Sequence, residues 1–418
     1  MLRRVLFTSI FCGLMAVNAM AAARTNTYPI VLVQSFGGWA DGELGTYNYW
    51  GGDVDLASAL RARGHDVRIA SVSPFGSNWD RACELYAIIK GGAVDYGAAH
   101  SGAAGHLPAT ATKVFPGIYP EWGYKQADGS VNKVHLVGHS MGGQTIRLLA
   151  QLMEKGAPHE QQFAEMTGSK LSPLFAGGED TRGWIDSVTT IASPHDGNPM
   201  IYKFSELAPH IGTLIGYLTS YGQMDFMLDQ WGIAPDPGEN PVVYFFRVFS
   251  QTEMATSWDS SLFDLSPYGA SYLNSQVAAQ PGIFYFSYAT NHTHPNGNQA
   301  EVPLPGMTSS LVVPAQVLGS LTGTINGLSF DESWWPNDGM VPTSAQDGPT
   351  LLSADQIVAF NPGQGPLRGA WNHMGTLRAT DHYAVIGITE NETTLWSQER
   401  LISFYDKLAG RLTSLPAQ

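Results

Sequence analysis

The pentapeptide Gly138-His139-Ser140-Met141-Gly142 constrains this chain more than any other stretch, because it joins an apolar run over 134–137 directly to a helical pattern over 142–154. A strand that enters a helix through so short a turn forces its central residue into a strained backbone conformation. Side chains two positions either way would obstruct that turn, and glycine occupies both places. The result is a G-x-S-x-G nucleophile elbow, with the Ser140 hydroxyl presented at the end of a strand. The helix N-terminus beneath it carries free N–H groups that can stabilise a developing negative charge.

The rest of the sequence supplies a fold in which such an elbow can sit. Short β-branched runs at 28–33, 65–72, 133–137, 187–191, 283–288 and 355–360 read as buried strands, with helical patterns over 55–63, 142–154 and 393–412. Strands alternating with helices predict an α/β protein whose mostly parallel sheet is covered on both faces. The 418 residues are 44% hydrophobic and 14% charged, so a large core is available and intrinsic disorder is excluded. We read residues 24–418 as a single domain with two insertions. The first, at about 78–124, is rich in Gly, Ala, His and aromatic residues and shows little helical periodicity; the second spans 198–264.

Arg3-Arg4, the apolar stretch 5–17 and Ala19-Met20-Ala21 together read as a secretory signal over 1–23, too short for the roughly 20 residues that span a bilayer. No other segment reads as membrane-spanning. The formal charge of −14 argues against nucleic acid as a partner. Cys12 leaves with the leader and Cys83 has no second cysteine in the mature chain, so stability must come from the core or from a metal.

A serine hydroxyl becomes a nucleophile only when a histidine takes its proton and a carboxylate orients that histidine. On the α/β-hydrolase fold the chain order is serine, acid, histidine. Asp338, on the turn Trp335-Pro336-Asn337-Asp338-Gly339, and His382, just before the last helix, are the natural choices. Asp347 competes for the acid, and His195, His292, His294 and His373 for the base. His195 precedes every candidate acid except its neighbour Asp196 and reads better as a buried, hydrogen-bonded histidine. For the oxyanion hole the fold needs the N–H after the nucleophile, that of Met141, and one from the loop after an early strand, where Phe36 is placed by Gln34-Ser35-Phe36-Gly37-Gly38. Among the remaining residues, His100 and His106 form a weak metal signal beside the carboxylates of the first insertion.

Several longer motifs carry a resemblance. Tyr47-Asn48-Tyr49-Trp50-Gly51-Gly52, Ser77-Asn78-Trp79-Asp80-Arg81-Ala82-Cys83-Glu84, the run 92–100, Ser172-Pro173-Leu174-Phe175, Leu228-Asp229-Gln230-Trp231-Gly232 and Asn337-Asp338-Gly339 resemble the zinc-containing thermostable lipases of bacilli and their staphylococcal relatives. The similarity runs over nearly all of the chain beyond the leader. It implies an α/β-hydrolase fold with Ser140, Asp338 and His382 as the triad, and a structural zinc held by Asp80, His100, His106 and Asp229 that staples the two insertions together. Two oxygens and two imidazoles would close a tetrahedral site. Two positions depart from the family. Gln34-Ser35 stands where relatives have His-Gly, and Ala384 and Thr389 stand where relatives have calcium ligands. The family's calcium site is therefore not expected, although Glu390 and Glu392 leave a shifted one open.

Within 200–221, Ile201, Phe204, Leu207, Ile211, Leu214, Ile215 and Leu218 recur at spacings of three and four and form an apolar helical stripe. The resemblance implies a mobile lid over an acyl pocket, working at a lipid–water interface. Pro199 and Pro209 are expected to limit where that helix starts or bends. The expected function is a secreted or periplasmic ester hydrolase of the lipase type acting on triacylglycerols or similar water-insoluble esters. A polyesterase or short-chain carboxylesterase is the alternative, and a catalytically silent binding module a remote one.

Overall fold

A computed structural model describes residues 26–297, 300–388 and 396–417. The leader reading and positions Thr389, Glu390 and Glu392 lie outside the described residues. Seven strands form the central sheet: β1 (Ile30–Val33), β2 (Val67–Ala70), β3 (Val134–His139), β4 (Ile185–Ile191), β5 (Phe284–Asn291), β6 (Ile357–Ala359) and β7 (Trp371–Arg378). Their order is β6-β7-β5-β4-β3-β1-β2, and every neighbouring pair is parallel. Parallel pairing needs crossovers that cover both faces, and the side chains alternate accordingly. Val31, Val33, Val134 and Leu136 enter one apolar cluster, whereas Ile30, Leu32 and Val137 enter another on the opposite face.

The helices that matter here are α1 (Leu56–Arg61), α2 (Asn78–Lys90), α3 (Ala98–Ala104), α4 (Met141–Lys155), α5 (Phe204–Leu218), α6 (Pro241–Gln251) and α7 (Gln398–Thr413). Leu56 and Leu60 of α1 pack with Leu401, Tyr405 and Leu408 of α7 on one face. Ala82, Leu85 and Ile89 of α2 pack with Ile146 and Leu149 of α4 on the other. Among the described residues no helix is long and apolar enough to cross a membrane.

Two elements differ from the sequence reading. Residues 78–90, the start of the insertion read at about 78–124 as having little helical periodicity, form the thirteen-residue helix α2, started by the Ser77 side chain accepting from the Asp80 N–H. Its periodicity is hidden because all but three of its residues, Asp80, Arg81 and Glu84 included, are buried. Strand β7, Trp-Asn-His-Met-Gly-Thr-Leu-Arg, went unread because it has few β-branched residues and carries a register shift between His373 and Thr376. Helix α5 contains Pro209, one of the two prolines expected to limit where it starts or bends.

Candidate active site and metal centre

In an all-parallel sheet the C-terminal strand ends share one edge, and ligands bind beyond it. The loops after β1, β3 and β7 all leave from that edge. Ser140 occupies the turn between β3 and α4 at φ 53° and ψ −126°, a conformation that side chains other than glycine rarely adopt. It is held by its N–H donating to the Ile191 carbonyl at 2.9 Å. The flanking glycines are required sterically. A Cβ on Gly138 would lie 2.5 Å from the Gly142 backbone, and one on Gly142 would lie 2.5 Å from the Val33 carbonyl oxygen.

Asp338 and His382 meet. Asp338 Oδ2 lies 2.9 Å from His382 Nδ1, and the His382 N–H donates to the Asp338 carbonyl at 2.9 Å. The carboxylate is fully buried and also accepts from Thr290 Oγ1 at 2.6 Å, from Gln346 Nε2 at 3.2 Å, and from the Met340 and Val341 N–H groups at 2.9 and 2.8 Å. A carboxylate so surrounded by donors is locked in position, and it fixes the proton of His382 on Nδ1. Ser140 and His382 line one apolar pocket, whose wall includes Ile201, Phe204, Ile211, Leu214, Ile215 and Leu218 from α5 and the segment before it. The apolar stripe of α5 thus lines the pocket that holds the serine, and α6 packs against α5 closely enough that a Cβ added to Gly216 would lie 3.3 Å from Val242.

The other histidines are engaged elsewhere. His195 is fully buried against Thr190 Oγ1 and Arg147, and burial first, then the Arg147 charge, pushes its pKa well below the ordinary value. His373 contacts Ser287 and the competing acid Asp347. His292 and His294 bond to the Pro305 and Pro295 carbonyls.

The loop after β1 is shaped by Arg81, a residue the sequence reading did not single out. Its guanidinium donates to the carbonyls of Gln34 (2.5 Å), Ser35 (3.4 Å) and Ser73 (2.5 Å) and to Thr145 Oγ1 (3.0 Å). In a trans peptide the carbonyl and the following N–H point in opposite directions. Turning the Gln34 and Ser35 carbonyls towards Arg81 therefore turns the Ser35 and Phe36 N–H groups away from it. The first donates to the Tyr49 hydroxyl at 3.0 Å, whereas the Phe36 N–H has no acceptor among the described residues. Tyr49 in turn contacts His139 Nδ1 at 2.7 Å, and His139 Nε2 donates to the His382 carbonyl at 3.0 Å. Burial, followed by the charge of His382, pushes the His139 pKa well below its usual value, which keeps that ring neutral. The Gln34 departure is accommodated by its side chain bonding the Val72 carbonyl at 2.9 Å.

A second constellation lies in the insertions. Asp80 on α2, His100 on α3, His106 just beyond it, and Asp259 bring one ligand atom each within 4.8 Å of one another, all four side chains buried. His106 Nδ1 faces the Leu107 carbonyl at 2.9 Å, which puts its proton there and leaves Nε2 as a lone-pair donor towards the site. Asp80 Oδ1 and His100 Nε2 have no hydrogen-bond partner of suitable geometry among the described residues. Burial, and then the charge of Asp259, drives the Asp80 pKa well upward. This group can bind a metal.

Asp229, the expected fourth ligand, is not part of it. It lies on a short 3₁₀ turn, Asp229–Trp231, in which successive side chains diverge by a third of a turn. Gln230 faces inward, donating to Asp80 Oδ2 at 2.8 Å, and Trp231 packs on the His106 ring. Asp229 faces out to Thr112 and to Lys113 Nζ at 3.1 Å. Asp259 takes its place, 3.1 Å from His100 Nε2 and 2.9 Å from His106 Nε2. A sequence signal for it exists: Trp258-Asp259 repeats the Trp79-Asp80 pair, and Trp258 and Trp79 both contact the His100 ring.

A family model described as "Lipase-like, C-terminal domain" matches residues 26–416. The chain belongs to this lipase-like family. A lipase of Staphylococcus epidermidis is 34% identical over 399 residues, which is 93% of this chain and 54% of the relative. The chain thus spans about half the length of the curated relatives it matches. Among solved structures, lipase 1 from Pelosinus fermentans is 42% identical with a TM-score of 0.83, covering 93% of this chain and 99% of that one. EstA from Clostridium botulinum is 37% identical with a TM-score of 0.84, covering 96% and 91%. The parallel sheet and its helices are those of lipase structures.

Proposed function

We propose that this chain is an exported, secreted or periplasmic, carboxylic-ester hydrolase that cleaves water-insoluble acyl esters through an acyl-enzyme on Ser140. The observation that carries the reading is the buried 2.9 Å contact between Asp338 and His382, with His382 lining the same apolar pocket as the strained Ser140. With its Nδ1 proton given to Asp338, His382 offers the lone pair of Nε2 to the serine hydroxyl. Ser140 attacks the ester carbonyl as His382 takes its proton. The N–H groups of Phe36 and Met141 receive the oxyanion, and the alcohol leaves with the proton returned by His382. Water then repeats the attack on the acyl-enzyme, with His382 again as base. Asp338 holds the imidazole in one tautomer throughout.

The pocket favours an acyl chain because its walls are mostly aliphatic and aromatic and no Asp, Glu, Lys or Arg lines it. We further propose zinc as the ion for Asp80, His100, His106 and Asp259, since two imidazole nitrogens and two carboxylate oxygens suit its tetrahedral preference. All four positions would be filled by protein, so the ion would cross-link the two insertions and leave no place for reacting water. Hydrolysis of p-nitrophenyl esters of increasing acyl length, alongside emulsified triacylglycerol and a polyester film, tests the reading. Activity on long chains and emulsion is expected. Turnover of short soluble esters alone, or of the film alone, would overturn the lipase assignment.

A further inference from the structure

We propose that the side-chain hydroxyl of Ser35 is a third donor to the oxyanion, beside the two backbone N–H groups. This deepens, and rests on, the ester-hydrolase reading of Ser140. Ser35 Oγ lies 3.3 Å from the Met141 nitrogen and accepts its N–H, so the hydroxyl stands where the elbow aims its own oxyanion donor. Ser35 is 4% exposed and lines the same pocket as Ser140 and His382.

A hydroxyl has one proton and two lone pairs. One lone pair of Ser35 is used by Met141, and the proton has the Tyr49 phenol oxygen within reach, a neutral acceptor that it can exchange for a charged one. The backbone that carries it is clamped from both sides. Its N–H is bound by Tyr49, and its carbonyl receives Arg81 at 3.4 Å and the Gly38 N–H at 3.1 Å. Only rotation about χ1 and the C–O bond remains, which is a small adjustment.

The contact to Met141 is long for an N–H···O bond and is readily exchanged for a charged acceptor. As the ester carbonyl becomes an alkoxide, that oxygen takes over the Met141 N–H and receives the Ser35 proton as a hydrogen bond. No covalent bond at Ser35 is made or broken, and its proton stays on Oγ. A water-excluding pocket makes such a donor worth much more than it would be in bulk solvent.

The opposite role, a plug that fills the empty hole and must be displaced by substrate, predicts the opposite sign. The two are separated by steady-state kinetics on a soluble p-nitrophenyl ester with the full chain, comparing wild type, Ser35→Ala, Ser35→Gly and Ser35→Thr. Loss of the hydroxyl in Ser35→Ala is expected to lower kcat roughly 10²-fold, as for other single oxyanion donors, with KM changed less than about twofold. The pH dependence should keep its midpoint, and Ser35→Thr, which restores the hydroxyl, should recover most of the rate. Should Ser35→Ala fold poorly by its melting temperature, Ser35→Gly removes the same hydroxyl without adding bulk and carries the same expectation. Wild-type or higher kcat in either folded variant, or a change in KM alone, overturns the proposal. An inactive wild type, or one whose activity survives Ser140→Ala, would instead overturn the hydrolase reading.

Discussion

Replacing Arg81 by lysine should separate the stability of this fold from the shape of its oxyanion loop. The guanidinium makes four hydrogen bonds spread over three nitrogens, to the Gln34, Ser35 and Ser73 carbonyls and to Thr145. An ammonium group keeps the charge but is a single point on a flexible stem, and it cannot reach acceptors on two sides at once. At least two buried carbonyls would lose their donors, at about 1–3 kcal/mol each, so a destabilisation of about 3–4 kcal/mol is expected. The catalytic effect is separate. With the Gln34 and Ser35 carbonyls released, the Phe36 N–H is no longer held towards the pocket, and loss of one oriented oxyanion donor costs about 10²-fold in kcat. The assay is kcat and KM on a soluble ester well below the melting temperature of the variant, with urea unfolding of the same preparation. A folded Arg81→Lys protein with wild-type kcat would refute the claim that this guanidinium sets the loop.

The metal group gives a paired prediction. Asp259→Ala should abolish stoichiometric zinc in elemental analysis and lower the melting temperature, whereas Asp229→Ala, which loses partly exposed contacts to Thr112 and Lys113, should retain one zinc per chain. For pH, the informative group is His135, fully buried between Ser187 Oγ and Asn26 Oδ1, with burial, then the Lys133 charge, lowering its pKa to about 3. The unfolded chain binds this proton near pH 6.5 and the folded chain does not. The associated stability is therefore complete above pH 6.5 and is lost as pH falls towards 3, by about 2 kcal/mol between pH 7 and 5. Urea unfolding at the two pH values should show that dependence in wild type and a shallower one in His135→Gln.

What the sequence reveals of this molecule follows from how local each feature is. The elbow is written in five consecutive residues, and the order of serine, acid and histidine along the chain selected the pair that meets at 2.9 Å. Six of the seven sheet strands declared themselves as β-branched runs, while β7 did not, because its pairing with β5 and β6 rather than its composition makes it a strand. The long-range choices were harder. Whether Asp229 or Asp259 faces the histidines depends on which way one 3₁₀ turn rotates its side chains, and no spacing rule encodes that. Arg81 was hidden for a related reason: three of its four partners are backbone carbonyl oxygens, and backbone acceptors carry no residue signature. The helix α2 carries both Asp80 and Arg81, and so joins the candidate metal group to the loop proposed to supply an oxyanion donor.

The central claim, that Ser140 is the nucleophile activated by His382, is tested most directly by a serine-directed p-nitrophenyl phosphonate followed by intact-mass and peptide mass spectrometry. One adduct per chain, placed on Ser140, formed together with loss of ester hydrolysis and absent in Ser140→Ala, is the outcome expected. An adduct on another residue, or inhibition and labelling that persist in Ser140→Ala, would contradict it.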